Sequence, residues 1–150
     1  MSHALEGLEF LVGRWEGEFE TFPEAYGDRA GRADGEMTVS WGTGQAWLNV
    51  EARMALPGRG SYGVGITIAP DPESEGLLAF VVNTLGMATL YRGELLDPGK
   101  VVFLGRPARH QRVSYTLRPG GGLLFAVEEA EDGERWIRHS AALLHLTNQG

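Results

Sequence analysis

The sequence predicts an all-β protein: a single antiparallel up-and-down β-barrel of about ten strands, preceded by a short N-terminal helix. Three observations carry this. Apolar and polar residues alternate with a period of two along most of the chain. Turn-forming clusters interrupt the alternation at short intervals: "GTG" at 42–44, "PGRG" at 57–60, "PDPESEG" at 70–76, "DPGK" at 97–100, "RPGGG" at 118–122 and "EDGE" at 131–134. Glycine is abundant, 22 of 150 residues, and scattered, which suits tight turns and close backbone approach better than a helical bundle. Strands this frequent form a meander, and a long meander closes because closure pairs every edge.

The elements follow in order. "LEGLEFL", Leu5 to Leu11, reads as a short helix with Leu5, Leu8 and Leu11 on one side, suited to plugging a barrel end. The first strand, 13–21, puts Gly13, Trp15, Gly17 and Phe19 on one face and Arg14, Glu16, Glu18 and Glu20 on the other. With the first set inward, Trp15 fills the barrel bottom, and Gly13 and Gly17 let backbone and ring approach closely. The longest connection is 22–34. Further strands are predicted at 35–42, 45–55, 60–69, 76–84, 86–96, 100–105, 109–118, 122–130 and 134–147. No linker, low-complexity tract or repeat divides the chain, so one domain over 1–150 is expected.

The formal charge of −7 argues against a nucleic-acid groove or an anionic membrane surface, both of which favour clustered Lys and Arg. The local exception, Arg106, Arg109, His110 and Arg112, spans a turn. It reads as a solvated loop balancing nearby acids, or as a rim site for a carboxylate or phosphate. The absence of cysteine excludes disulfides, thiolate metal sites and thiol nucleophiles. No apolar run reaches the roughly 20 residues that span a bilayer. "MSHALEGLEF" lacks the pattern of a signal peptide, so a cytoplasmic location is expected.

The chemistry-bearing residues give few motifs. His3, His110, His139 and His145 show no metal-ligand spacing, and no metal is predicted. His139 and His145 sit about 20 Å apart along one strand and cannot share an ion. Gly58, Gly60 and Gly63 match the dinucleotide pattern, but a strand follows them instead of a helix, and they read as a hairpin turn. No serine lies in a nucleophile elbow. Glu51, in "WLNVEARM", is a general base if it faces the lumen. The better core face is Leu48, Val50, Ala52 and Met54, which turns Glu51 and Arg53 to solvent. No catalytic residue is therefore assigned, and a binding module is favoured over an enzyme.

Aromatic residues come from many strands, and a barrel of this size either fills with them or keeps one small cavity. In "VVNTLGMATLYRG", polar groups cluster with Met87 at one hairpin, as at a cavity mouth. The predicted site is Trp41, Asn83, Met87, Tyr91 and Phe125, holding a small apolar or amphipathic molecule. The alternative is a filled barrel that acts through its surface, as a homodimer, if its outer faces expose apolar residues.

"GRWEG" resembles the Gly-x-Trp opening of the calycins, the lipocalin-like barrels, and more specifically that of the nitrobindin-like ten-stranded barrels. The stretches "LVGRWEGEFE", "GEMTVSWGTGQAWLNVEARM", "NTLGMATLYRGEL" and "EDGERW" are similar to an uncharacterised bacterial lipocalin-like family, the domain of unknown function 1579. The likeness covers roughly 8–147 and implies the barrel fold. The nitrobindin likeness also implies an alternative function: haem, with His145, followed by Leu146, as the proximal ligand. No other cofactor is expected.

Overall fold

The computed structural model describes residues 3–56, 60–107 and 110–147. Ten strands run in order: β1 (Gly13–Thr21), β2 (Gly31–Trp41), β3 (Leu48–Leu56), β4 (Gly60–Pro70), β5 (Leu77–Asn83), β6 (Ala88–Asp97), β7 (Lys100–Gly105), β8 (His110–Leu117), β9 (Leu123–Ala130) and β10 (Ile137–Leu146). Each pairs antiparallel with its sequence neighbour, and β1 also pairs with β10, so the sheet closes into a barrel. The all-β barrel read from period-two alternation is the observed fold.

One end is sealed. The chain enters it through α1 (His3–Glu6) and a 3₁₀ turn at Glu9–Leu11, two short pieces where one helix is predicted. Gly7 lies between them, a residue that disfavours helix interiors. Leu5, Leu8 and Leu11 are buried against Trp15. The Trp15 indole N–H donates to the Leu11 carbonyl at 2.8 Å, which satisfies the one polar atom of that side chain. Trp15 thus fills the bottom as expected. The glycines beside it serve β10 rather than the ring: a Cβ on Gly13 would fall 2.6 Å from Leu146, and one on Gly17 would overlap the Leu143 carbonyl.

Inward glycines also admit rings higher up. Phe19 covers Gly35, Phe103 covers Gly93 and Tyr91 covers Gly105. Each pairing lets a large side chain lie flat inside a narrow barrel.

The 22–34 connection is shorter than predicted. It holds α2 (Pro23–Tyr26), started by Pro23 at its first turn, and a 3₁₀ turn at Gly27–Arg29; β2 then begins at Gly31, four residues earlier than 35. β10 begins at Ile137 rather than at 134.

Apart from Glu129, the charged residues of the described strands face outward. Arg14 and Arg53 each meet Glu36 at 2.9 Å, and this pairing holds its carboxyl below the usual carboxylate range. Glu51 is exposed on the outer face of β3, the orientation the apolar parity favours. From the predicted basic patch, Arg112 is committed to Glu128 at 3.0 Å and stacks over Trp136 at 4.3 Å. Arg109, like Gly58, lies outside the described residues. Among the described residues no helix is long and apolar enough to cross a membrane.

Replacing Trp15 by Ala is expected to cost about 3–5 kcal/mol, the range for deleting a buried aromatic. Glu51→Ala should stay within about 0.5 kcal/mol. Urea unfolding of both variants checks this contrast.

Candidate functional site

The floor and the mouth of the barrel differ in how the inward side chains are covered. At the sealed end Leu48, Ile68, Leu77, Val101, Leu123 and Leu144 are at most 1% exposed. Towards the other end, Ala52, Met54, Ile66, Val81, Val113 and Phe125 share the inward parity of those residues yet are only partly buried. Inward residues of a filled barrel would be fully covered. Phe103 and Val127, the strand partners of Val113, are buried, so the upper half is partly filled, and the partly exposed apolar side chains line a cup above a floor that includes the Tyr115 and Phe125 rings, 5.4 Å apart.

A chain of polar side chains lines one side of the mouth. The Tyr91 hydroxyl donates to Gln111 Oε1 in a short 2.5 Å bond, and Gln111 Nε2 donates to Glu129 Oε1 at 3.2 Å. That carboxylate oxygen lies 3.5 Å from His139 Nε2, which in turn lies 2.7 Å from the Tyr26 hydroxyl. His139 Nδ1 sits 3.2 Å from the Ser140 hydroxyl. The register of β10 shifts between Arg138 and Ser140, and the irregularity leaves His139 between the two paired residues. An irregularity of this kind re-aims a side chain at the rim of a sheet.

Tyr26 reaches the group from α2. Its ring packs edge-on against the His139 ring, centroids 4.5 Å apart, and the Phe22 N–H donates to the His139 carbonyl at 3.1 Å. Burial pushes the Tyr26 and Tyr91 phenols up to about 12, with nearby Tyr62 and Glu129 adding to the effect. Burial raises Tyr62 and Tyr115 as well. All are neutral phenols at pH 7. Burial also lowers the pKa of His139, against the opposing pull of Glu129, so its imidazole is held neutral.

A cleft of about 370 Å³ opens beside this group, between α2 and the β9–β10 turn, with Glu24, Glu129, Asp132 and Arg135 among its walls. Glu129 thus borders both the cup and the outside.

The five residues grouped from sequence do not converge. Tyr91 belongs to the polar chain and Phe125 to the cup floor. Asn83 and Met87 are at the mouth, but Asn83 is a turn cap: its Oδ1 accepts the Leu85 and Met87 N–H groups at 3.0 and 3.1 Å. Its side chain also opposes the rise that burial gives the Tyr62 phenol. Trp41 lies at the sealed end, paired with Leu48, away from the other four because β2 runs downward to that end. His145 is exposed on the outer face of β10 opposite Glu16, one position from the inward Leu144.

Tyr26, Tyr62, Gln111, Glu129 and His139 are the mouth residues absent from that group. For three the signal was present. Tyr62 in "SYGVGITI", Gln111 in "HQRVSYTL" and Glu129 in "LLFAVEEA" stand at the apolar parity of their strands, all at one barrel end. Among the described residues, no group of three or more potential metal ligands occurs.

No family model and no curated protein matches the chain. Among solved structures it is similar to the crystal structure of Rv2717c from M. tuberculosis. The TM-score is 0.73 and the identity 16%, over 99% of both chains. At that identity the likeness carries the fold alone.

An NMR titration of His139 is expected to give a midpoint below the ordinary 6.5. Glu129→Gln should lower it further, because the carboxylate favours imidazolium. A base whose folded pKa is depressed takes up its proton first in the unfolded chain. Its contribution to stability is therefore complete above about 6.5 and declines as the pH falls through that value. His139→Gln should flatten this part of the stability–pH profile in urea unfolding.

Proposed function

We propose that the barrel is a binding module for one small amphipathic molecule. The apolar part is taken up between Ile66, Val81, Val113 and Phe125, and the polar end meets Tyr26, Gln111, Glu129 and His139. The observation that supports this reading is the partial exposure of inward apolar side chains above a sealed floor. Covering such surface stabilises a complex by about 25 cal/mol per Å². Aromatic walls with a few convergent polar groups are the usual composition of a small-molecule site. The motif likeness to lipocalin-like barrels agrees with this role and names no ligand.

The test uses N-phenyl-1-naphthylamine, an uncharged apolar fluorophore. Unit stoichiometry is expected, with loss of binding in Val81→Trp, which fills the cup, and retention in Trp41→Phe at the sealed end. An unaltered titration in Val81→Trp would refute the cup as the site.

A second reading is favoured by the outer surface. Phe80 and Leu90, cross-strand partners on β5 and β6, are 50% and 51% exposed, and Val82 and Leu104 extend the same outer face. Contiguous exposed apolar surface marks interaction sites. On this reading the barrel pairs with a second copy of itself. Light scattering should then give a dimer mass that Phe80→Glu with Leu90→Glu reduces to the monomer; a monomeric wild type would dismiss it.

A further inference from the structure

We infer that the cup selects amphipathic molecules with a cationic, hydrogen-bond-donating head, an alkylammonium above all, and rejects carboxylates. This rests on the binding-module reading and adds the chemical class of the head group.

The first observation is the sign of the charge inside. The registers fix which residues share the inward face, and among the described strand positions Glu129 is the one inward residue with a formal charge. Every described strand Lys and Arg, from Arg14 on β1 to Arg138 on β10, stands at an outward position. An anionic head entering this lumen would meet a carboxylate, and no described strand guanidinium or ammonium points inward to pair with it; Arg135, off the strands, lines the outer cleft with Glu129. Like charges at close range in a partly desolvated site repel strongly.

The second observation is that the carboxylate is held but not neutralised. Glu129 Oε1 accepts the Gln111 amide, a neutral donor, and faces the neutral imidazole of His139. Its side chain is 23% exposed, so it is accessible to a ligand. The Gln111 donor orients it, and neither neutral neighbour cancels its charge, which is left to a bound molecule. Charge-assisted hydrogen bonds from an ammonium are about twice as strong as neutral ones.

The third is the company of rings. Tyr26 and Tyr62 are partly exposed at the mouth, and the Tyr26 ring packs against the His139 ring, which faces Glu129 at 3.5 Å, whereas Tyr91 is buried and brings only its hydroxyl to the polar chain. Aromatic rings beside a carboxylate are the surroundings in which alkylammonium groups are recognised, through the negative ring faces. A carboxylate ligand gains nothing from those faces.

Three decyl probes of equal chain length separate the terms by calorimetry at physiological salt: decylamine (cationic at pH 7), decanol and decanoate. The expected order is decylamine over decanoate by at least about tenfold, the size of one charge-assisted hydrogen bond. Glu129→Gln should reduce that ratio to about threefold or less, and Glu129→Asp, which keeps the charge if the Gln variant folds poorly, should preserve it. Glu51→Gln, an outer acid, should leave the ratio unchanged. An equal loss in Glu51→Gln would assign the preference to the net charge of −7 and overturn the inference. Decanol bound with decylamine no tighter than decanoate would leave the cup standing and overturn the head-group selection. No binding of any of the three would remove the cup reading, and the selection with it.

Discussion

The pairing of β1 with β10 is the constraint on which the structure depends. It runs from Trp15 opposite Leu146 to Thr21 opposite Ser140, and it turns a ten-strand meander into a closed surface. Closure gives each strand one face towards solvent and one towards the lumen. A side-chain period of two then sorts the sequence without further instruction. Gly17 is what lets the seam close tightly, since any side chain there would collide with the β10 backbone. Trp15, next to it, roofs the leucines of the N-terminal segment, so one pair of neighbouring residues both joins the sheet and seals its end.

The mouth depends on the same strand. β10 keeps strict pairing through the sealed half and loses it by one residue at His139. That slip frees an imidazole to meet Tyr26 on one side and Glu129 on the other. The α2 segment is then tied to β10 twice, by a ring contact and by a backbone hydrogen bond. The polar chain from Tyr91 to Tyr26 therefore joins four strands and a helix while every member has a partner. Such a chain is rigid when complete and costly when one member is missing.

Much of this was legible in the sequence, for definite reasons. Closed barrels need alternation and turns, and both are written locally: "GRWEG" declares its inward face, and "LEGLEFL" declares its plug. Glu51 was decided by comparing two parities within one strand. The site was harder. Trp41 looks like Tyr91 in a list of aromatics, and only strand direction sends one to the floor and the other to the mouth. Glu129 was readable as an acid at apolar parity, but the significance of that break depends on Gln111 and His139, which lie on neighbouring strands. Tyr26 stands in a connection without periodicity, and its role follows from a helix of four residues that no pattern marks. His145 carried a family expectation, and a single step in parity from the inward Leu144 places it on the outer face.

The half-filled interior has a consequence for size. On β9 the floor lies near Phe125 and the carboxylate stands at Glu129, four residues along the strand, or about 13 Å at a β-strand's rise. The strands of a barrel tilt, so the vertical depth is smaller still. On the proposed binding reading, the distance between an apolar base and a fixed polar station would work as a ruler. A tail that is too short leaves the head below its partners, and one that is too long lifts the head past them into water. Substituting larger or smaller residues at the floor would then shift the preferred chain length while leaving the head-group chemistry in place.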